Sequence, residues 1–220
     1  MNSPDDALLD SLTSDLKPVK QLRAASLWIG AGAGLLIALV YIFVFYGPRG
    51  DIIALMRGGA MVNPMVIGKP LIFLVVGLSA LWSVADLARP EGRLKLLPLL
   101  PALAVFGLVL GNLLSEMAIF GTDNFARQLN GGGHVCFVTI LCGGMAGLIV
   151  MWRLWLRRSA TSHPALLGAM SGMAAASLMA AAYAIHCNMD SPIYILLFYG
   201  TAVTVSSGIA ALLGAKLLKW

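Results

Sequence analysis

Six long apolar runs, approximately Leu27–Tyr46, Val66–Ala85, Leu99–Leu114, Val135–Trp152, Ala165–Ile185 and Ile193–Leu213, take up most of the chain. At 1.5 Å per residue, about 20 helical residues cover the roughly 30 Å of hydrocarbon in a bilayer. Backbone N–H and C=O groups in that solvent must bond within their own segment, which a helix does. The composition agrees, with 59% hydrophobic residues and 11% charged, against about 25% charged in a typical soluble domain. A water-facing globular fold is excluded. The sequence therefore predicts an all-α integral membrane protein, a bundle of six transmembrane helices over residues 27–220 with a short amphipathic helix in a tail of residues 1–26. The first run is too long for a secretory leader and no small-residue cleavage site follows it, so it reads as a retained span.

Orientation follows from the bases, which accumulate on the cytoplasmic side of membrane proteins. With the N-terminus inside, Lys17, Lys20, Arg23, Arg89, Arg93, Lys95, Arg153, Arg157, Arg158, Lys216 and Lys219 fall in cytoplasmic segments. Only Arg49, Arg57, Lys69 and Arg127 fall opposite. The five tryptophans (Trp28, Trp82, Trp152, Trp155, Trp220) all lie at the base-rich ends, as an interfacial belt places them. Both termini are expected in the cytoplasm, and the bilayer as the main partner. The net charge of +5 is explained by topology and is no nucleic-acid signal.

Four small-xxx-small spacings, Gly30/Gly34, Gly107/Gly111, Gly143/Gly147 and Gly168/Gly172, lie in four different spans and favour close helix packing. The first outer loop, Gly47 to Asn63, has Ile52, Ile53, Leu55 and Met56 ahead of a Gly58-Gly59 break and reads as a short surface helix. No Lys, Arg, Asp or Glu stands at the centre of a span; Asn112 is the most notable interior polar group.

The tail has its own pattern. Ser3, Pro4, Asp5 and Asp6 make a helix start, Leu8, Leu9, Leu12 and Leu16 recur at helical spacing, and Pro18 ends the helix. A helix this short is marginal alone in water. Its polar face carries Asp5, Asp6, Asp10 and Asp15, with no base before Lys17, which suits a protein partner better than an anionic lipid surface.

Two of the three cysteines adjoin histidines at span ends: His134 with Cys136 before the fourth run, His186 with Cys187 after the fifth. The topology puts both pairs outside, which in a bacterium is the periplasm, where disulfides form and persist. Cys136 and Cys187 can join as a disulfide if their Cα atoms lie within about 7 Å. Alternatively the two thiolates capture a soft metal, with His134 and His186 as supplementary ligands. No other cofactor is implied. Cys142, deeper in the fourth run, reads as packing.

The stretch Leu8-Leu9-Asp10-Ser11-Leu12-Thr13-Ser14-Asp15-Leu16-Lys17-Pro18-Val19, the six-span layout and the placement of Cys136 and Cys187 together resemble the NrsF family, negative regulators of sigma F. The resemblance implies a bacterial inner-membrane anti-sigma factor and no enzyme. Its tail residues Leu8, Leu9, Leu12, Asp15, Leu16, Pro18 and Val19 would hold an extracytoplasmic-function (ECF) sigma factor. Its Cys136 and Cys187 would sense heavy-metal or oxidative stress from the periplasm. Two other classes compete. A transporter needs intramembrane ionisable groups, and a thiol–quinone redox protein usually keeps a CxxC motif; the chain has no CxxC.

Overall fold

A computed structural model describes Ser11, Thr13, Ser14 and residues 23–59, 63–121 and 132–218. The tail residues Leu8, Leu9, Leu12, Asp15, Leu16, Pro18 and Val19 lie outside the described residues, as does Trp220. Within the tail, Ser11 and Thr13 have helical backbone, and the Ser14 hydroxyl donates to the Ser11 carbonyl at 3.1 Å.

Six helices are long and apolar enough to cross a membrane. In chain order the helices are α1 (Ala24–Phe45), the short α2 (Gly50–Met56), α3 (Met65–Leu87), α4 (Leu100–Phe120), α5 (Gly133–Leu154), α6 (Pro164–Tyr183) and α7 (Pro192–Leu217). Prolines set several of the starts: Pro64 precedes α3, while Pro164 and Pro192 open α6 and α7, where a missing N–H costs nothing. The outer-loop helix expected from Ile52, Ile53 and Leu55 is α2, and Gly58 at φ +83° ends it. The third span runs six residues past its expected end at Leu114, because Ser115 and Glu116 continue α4 as ordinary helix formers.

α6 is the centre of the bundle. It packs on α7, α3, α5 and α1, and from Ala174 to Tyr183 every residue is buried. That burial on all sides is possible because its side chains are mostly Gly, Ala and Ser, so neighbouring backbones come near. A Cβ at Gly168 would meet the Ala210 carbonyl oxygen of α7, and one at Gly172 would lie 2.6 Å from the Ser206 carbonyl. Gly144 of α5 is equally tight, its Cβ position 2.7 Å from the Ala176 Cα. α1 and α4 stand at the periphery with most of their side chains exposed.

Two of the four glycine spacings thus lie at helix seams. Gly30, Gly34, Gly107 and Gly111 face open space instead, since the helices that carry them are the peripheral ones. Cys142 is also exposed, on the outer side of α5, so it is not the packing residue its depth implied.

The bundle has two distinct ends. At one, Trp28 meets Trp82 edge-on at 6.4 Å and the Trp155 indole donates to the Arg23 carbonyl at 3.2 Å. Leu27 and Leu218 share a core cluster there, so both ends of the described helical bundle return to this tryptophan end. At the other end lie α2 and the starts of α3, α5 and α7.

The α6–α7 seam yields a test. Gly168→Val puts a branched side chain into the Ala210 backbone and is expected to cost about 1–3 kcal/mol or more, read as a lowered thermal midpoint in detergent micelles. Gly107→Val, facing open space, should leave the midpoint within error.

Candidate functional site

Cys136 stands in the first turn of α5, and Cys187 in the loop that follows α6. The fold brings them together: their Sγ atoms are 3.8 Å apart, both residues are buried, and both thiols are free. A disulfide needs about 2.05 Å between sulfurs, so the pair is in contact and unbonded. On its far side the Cys136 sulfur hydrogen-bonds the Tyr194 hydroxyl at 3.0 Å.

Beside Cys187 lies a set of charges, of which Arg49 and Lys69 entered the sequence analysis only as bases on the sparse side of the topology. Lys69 opens the second turn of α3 and is wholly buried. Its ammonium donates to the carbonyls of Met189 at 2.8 Å and Cys187 at 3.3 Å, and lies 3.8 Å from Asp190 Oδ1. It also stands 4.5 Å from the centre of the Tyr199 ring, whose face attracts a cation. Asp190 in turn accepts from Arg49 at 3.0 and 2.8 Å, a two-pronged pair, and from the Asn63 amide at 2.7 Å. Arg49 also donates to Asp51 at 2.8 Å and to the Cys187 carbonyl at 3.3 Å. The hydrogen bond to Asp190 holds the Arg49 guanidinium above its ordinary pKa, against the effect of burial.

Tyr194 and Tyr199 reach Lys69 because α7 begins irregularly. After one α-turn, Ile195–Gly200 is π-helical. In an α-helix, residues five apart diverge by about 140°; the wider π-turn, with its i→i+5 bonds, brings positions five apart back into line. Both tyrosines are consequently buried on the same side.

The histidines stand apart from the sulfurs. His186 pairs its Nδ1 with the Gly47 carbonyl at 2.9 Å and packs against the rings of Tyr46 and Tyr183. His134 is exposed at the start of α5. Among the described residues no three His, Cys, Asp or Glu side chains gather with the spacing a metal ion needs, so the set Cys136, Cys187, His134 and His186 is not assembled here.

The Cys187 loop is also fastened to α1. Besides His186 on Gly47, the Arg49 amide donates to the Ile185 carbonyl at 3.0 Å, and the Tyr46 hydroxyl meets Thr139, one turn beyond Cys136, at 3.2 Å. Both cysteine-bearing segments therefore touch the end of α1 and the loop it leads into. Asn112, the expected interior polar group, lines a shallow apolar groove between α3, α4 and α7 and takes no part in the cluster.

Asp190 is the shared anion of this site, which sets a second test. Asp190→Ala removes the anion that two buried cations share, leaving Lys69 without a carboxylate among the described residues and Arg49 with only the half-exposed Asp51. The loss is about 3–5 kcal/mol, expected as a large drop in thermal midpoint. Asp51, whose side chain is 53% exposed, should cost under about 1 kcal/mol on replacement by Asn.

Comparison with known proteins places residues 12–220 within the family described as "Negative regulator of sigma F". The chain is 25% identical over 221 residues to the anti-sigma-F factor NrsF of Caulobacter vibrioides (strain NA1000 / CB15N), covering 98% of this chain and 99% of that protein. No solved structure is significantly similar to it.

Proposed function

Because the chain belongs to the NrsF family of negative regulators of sigma F, we propose that it is a membrane anti-sigma factor whose thiol pair controls release of an ECF sigma factor. Residues 1–26 carry the contact, through Leu8, Leu9, Leu12, Asp15, Leu16, Pro18 and Val19. Both termini face the cytoplasm and the Cys136–Cys187 end faces the periplasm, an inner-membrane placement supported by the excess of bases at the tryptophan end. The family is regulatory, and no catalytic residue is assigned.

One observation carries the sensing part of this reading. Two cysteines 51 positions apart meet at 3.8 Å at the end of the bundle remote from Arg23. Oxidative stress acts on such a pair directly, and heavy-metal stress acts on it in so far as it consumes thiols. A change in how the two segments meet acts on α1, which is bonded to both through Tyr46, Gly47 and Arg49. Packed helices move between discrete arrangements rather than deforming smoothly. A tenfold change in sigma-factor affinity needs only about 1.4 kcal/mol of coupling.

The test begins with membranes of the native host. Full-length protein should co-purify a sigma factor, and Leu12→Asp or Leu16→Asp should lower its recovery about tenfold or more, since each places a charge on the apolar face. Cys136→Ser and Cys187→Ser should retain the sigma factor yet no longer release it under oxidant. Normal release from both serine variants would sink the sensing role; absence of any sigma factor would sink the tail contact.

A further inference from the structure

We propose that Lys69 makes Cys187 the attacking thiolate of the pair and leaves Cys136 as the resolving thiol, an assignment that rests on the sensing role given above. The observation is a charge count around the Cys187 loop. The side chains of Arg49 and Lys69 are 3% and 0% exposed, and among the described residues the carboxylate that meets both is Asp190, at 12%. Asp51 answers Arg49 from the solvent side, half-exposed. Two buried cations against one buried anion leave an excess of positive charge, which an apolar interior tolerates poorly. Cys187 is the residue at which both cations converge, since each donates to its carbonyl oxygen at 3.3 Å. A negative sulfur on that residue settles the excess.

The hydrogen bonds give the pair a direction. With Cys187 as thiolate, the Cys136 S–H donates to it across 3.8 Å, and the Tyr194 O–H donates to the Cys136 sulfur at 3.0 Å. Cys136 thereby keeps its proton. The same arrangement pulls the Cys187 thiol well below the ordinary thiol range, through the hydrogen bond from Cys136 first and the Lys69 charge next, against burial. The other titratable groups around the pair and its loop are Tyr46 at the end of α1, the half-buried Glu116 of α4, which accepts from Ser191, Tyr183 of α6, Tyr194 and Tyr199 of α7, and His186 in the loop. Of these, His186 is occupied with Gly47.

The chemistry is that of a two-electron oxidant of the peroxide class. The Cys187 thiolate attacks one peroxide oxygen; an S–O bond forms, the O–O bond breaks and hydroxide leaves, giving a sulfenic acid. The Cys136 sulfur then attacks the Cys187 sulfur. The S–S bond forms, the S–O bond breaks, and the Cys136 proton departs with the hydroxyl as water. Two electrons pass from the thiols to one peroxide.

The experiment uses full-length protein in lipid nanodiscs with Cys142→Ala throughout, hydrogen peroxide as oxidant and dimedone to trap sulfenic acid, read by mass spectrometry across a pH series. With Cys136→Ser, Cys187 remains; with Cys187→Ser, Cys136 remains. At neutral pH Cys187 should form the adduct at least about tenfold faster, a ratio corresponding to one unit of thiol pKa. Its rate should stay flat through the neutral range and fall only in acid. Adding Lys69→Met should move that fall up into the neutral range, and Lys69→Arg should largely restore it, which a purely structural lysine would not do. Equal rates for the two thiols, or a faster Cys136, overturn the assignment without any change at Lys69. An unshifted profile in Lys69→Met overturns the role of the lysine. Neither readout involves the sigma factor, so both can fail while co-purification and release by oxidant still succeed.

Discussion

A fully buried ammonium must be answered by partners in its surroundings, and Lys69 draws those partners from several places in the chain. Its carbonyl ligands come from the α6–α7 loop, its aromatic face from the π-turn of α7, and its carboxylate from Asp190, which also takes Arg49 and Asn63. Removing an ion from water costs several kcal/mol unless geometry and hydrogen bonds answer it. The answer here ties the α1–α2 loop, the start of α3 and the α6–α7 loop into one knot. Cys187 sits in that knot through its backbone, and its sulfur is presented to Cys136 as a result.

The tryptophan end is held differently. There the contacts are rings and aliphatic side chains, with Leu27, Leu81, Leu87, Trp155 and Leu167 buried together. Its ion pair, Lys95 with Asp86 at 3.1 Å, is largely exposed on the lysine side and adds little. One end is therefore fixed by directional polar bonds and the other by shape. A chemical event is more readily felt at the first, where one bond gained or lost alters a buried charge. α1 runs between the two ends and buries few of its own side chains, so its position depends on what holds its termini.

Much of this was legible in the sequence. Hydrocarbon thickness fixes span length, so the six helices fall near the apolar runs, and the short α2 emerges where apolar residues precede Gly58. The meeting of Cys136 and Cys187 was legible only as a shared side of the membrane; their contact depends on how α5, α6 and α7 pack, which no periodicity encodes. Lys69, Arg49 and Asp190 were overlooked as a group because each stands near a span end, where a charge normally reaches water. A faint hint did exist: the sparse side of the topology holds very few bases, and two of them have no reason to be there for orientation. The histidines misled through adjacency. Neighbours along a chain at a helix end point in different directions, and His186 turns to Gly47. The glycine spacings misled for a related reason, since the pattern marks a face able to pack without saying whether a helix lies opposite.

The π-turn at Ile195–Gly200 has an effect far from the tyrosines it aligns. Each residue added to or removed from a helix rotates everything downstream by about 100°. The phase of α7 beyond Thr201 is therefore set at the thiol end of the bundle. About 15 to 21 Å further on, counting about 1.5 Å for each residue from Gly200, that phase decides whether Ala210 and Gly214 face Gly168 and Gly172, where α6 and α7 meet backbone to backbone. Deleting one residue of the turn to make it an ordinary α-helix would leave either the tyrosines or this seam out of register. The irregular start of α7 and the glycines of α6 are two halves of one angular constraint, and neither can change in sequence without the other.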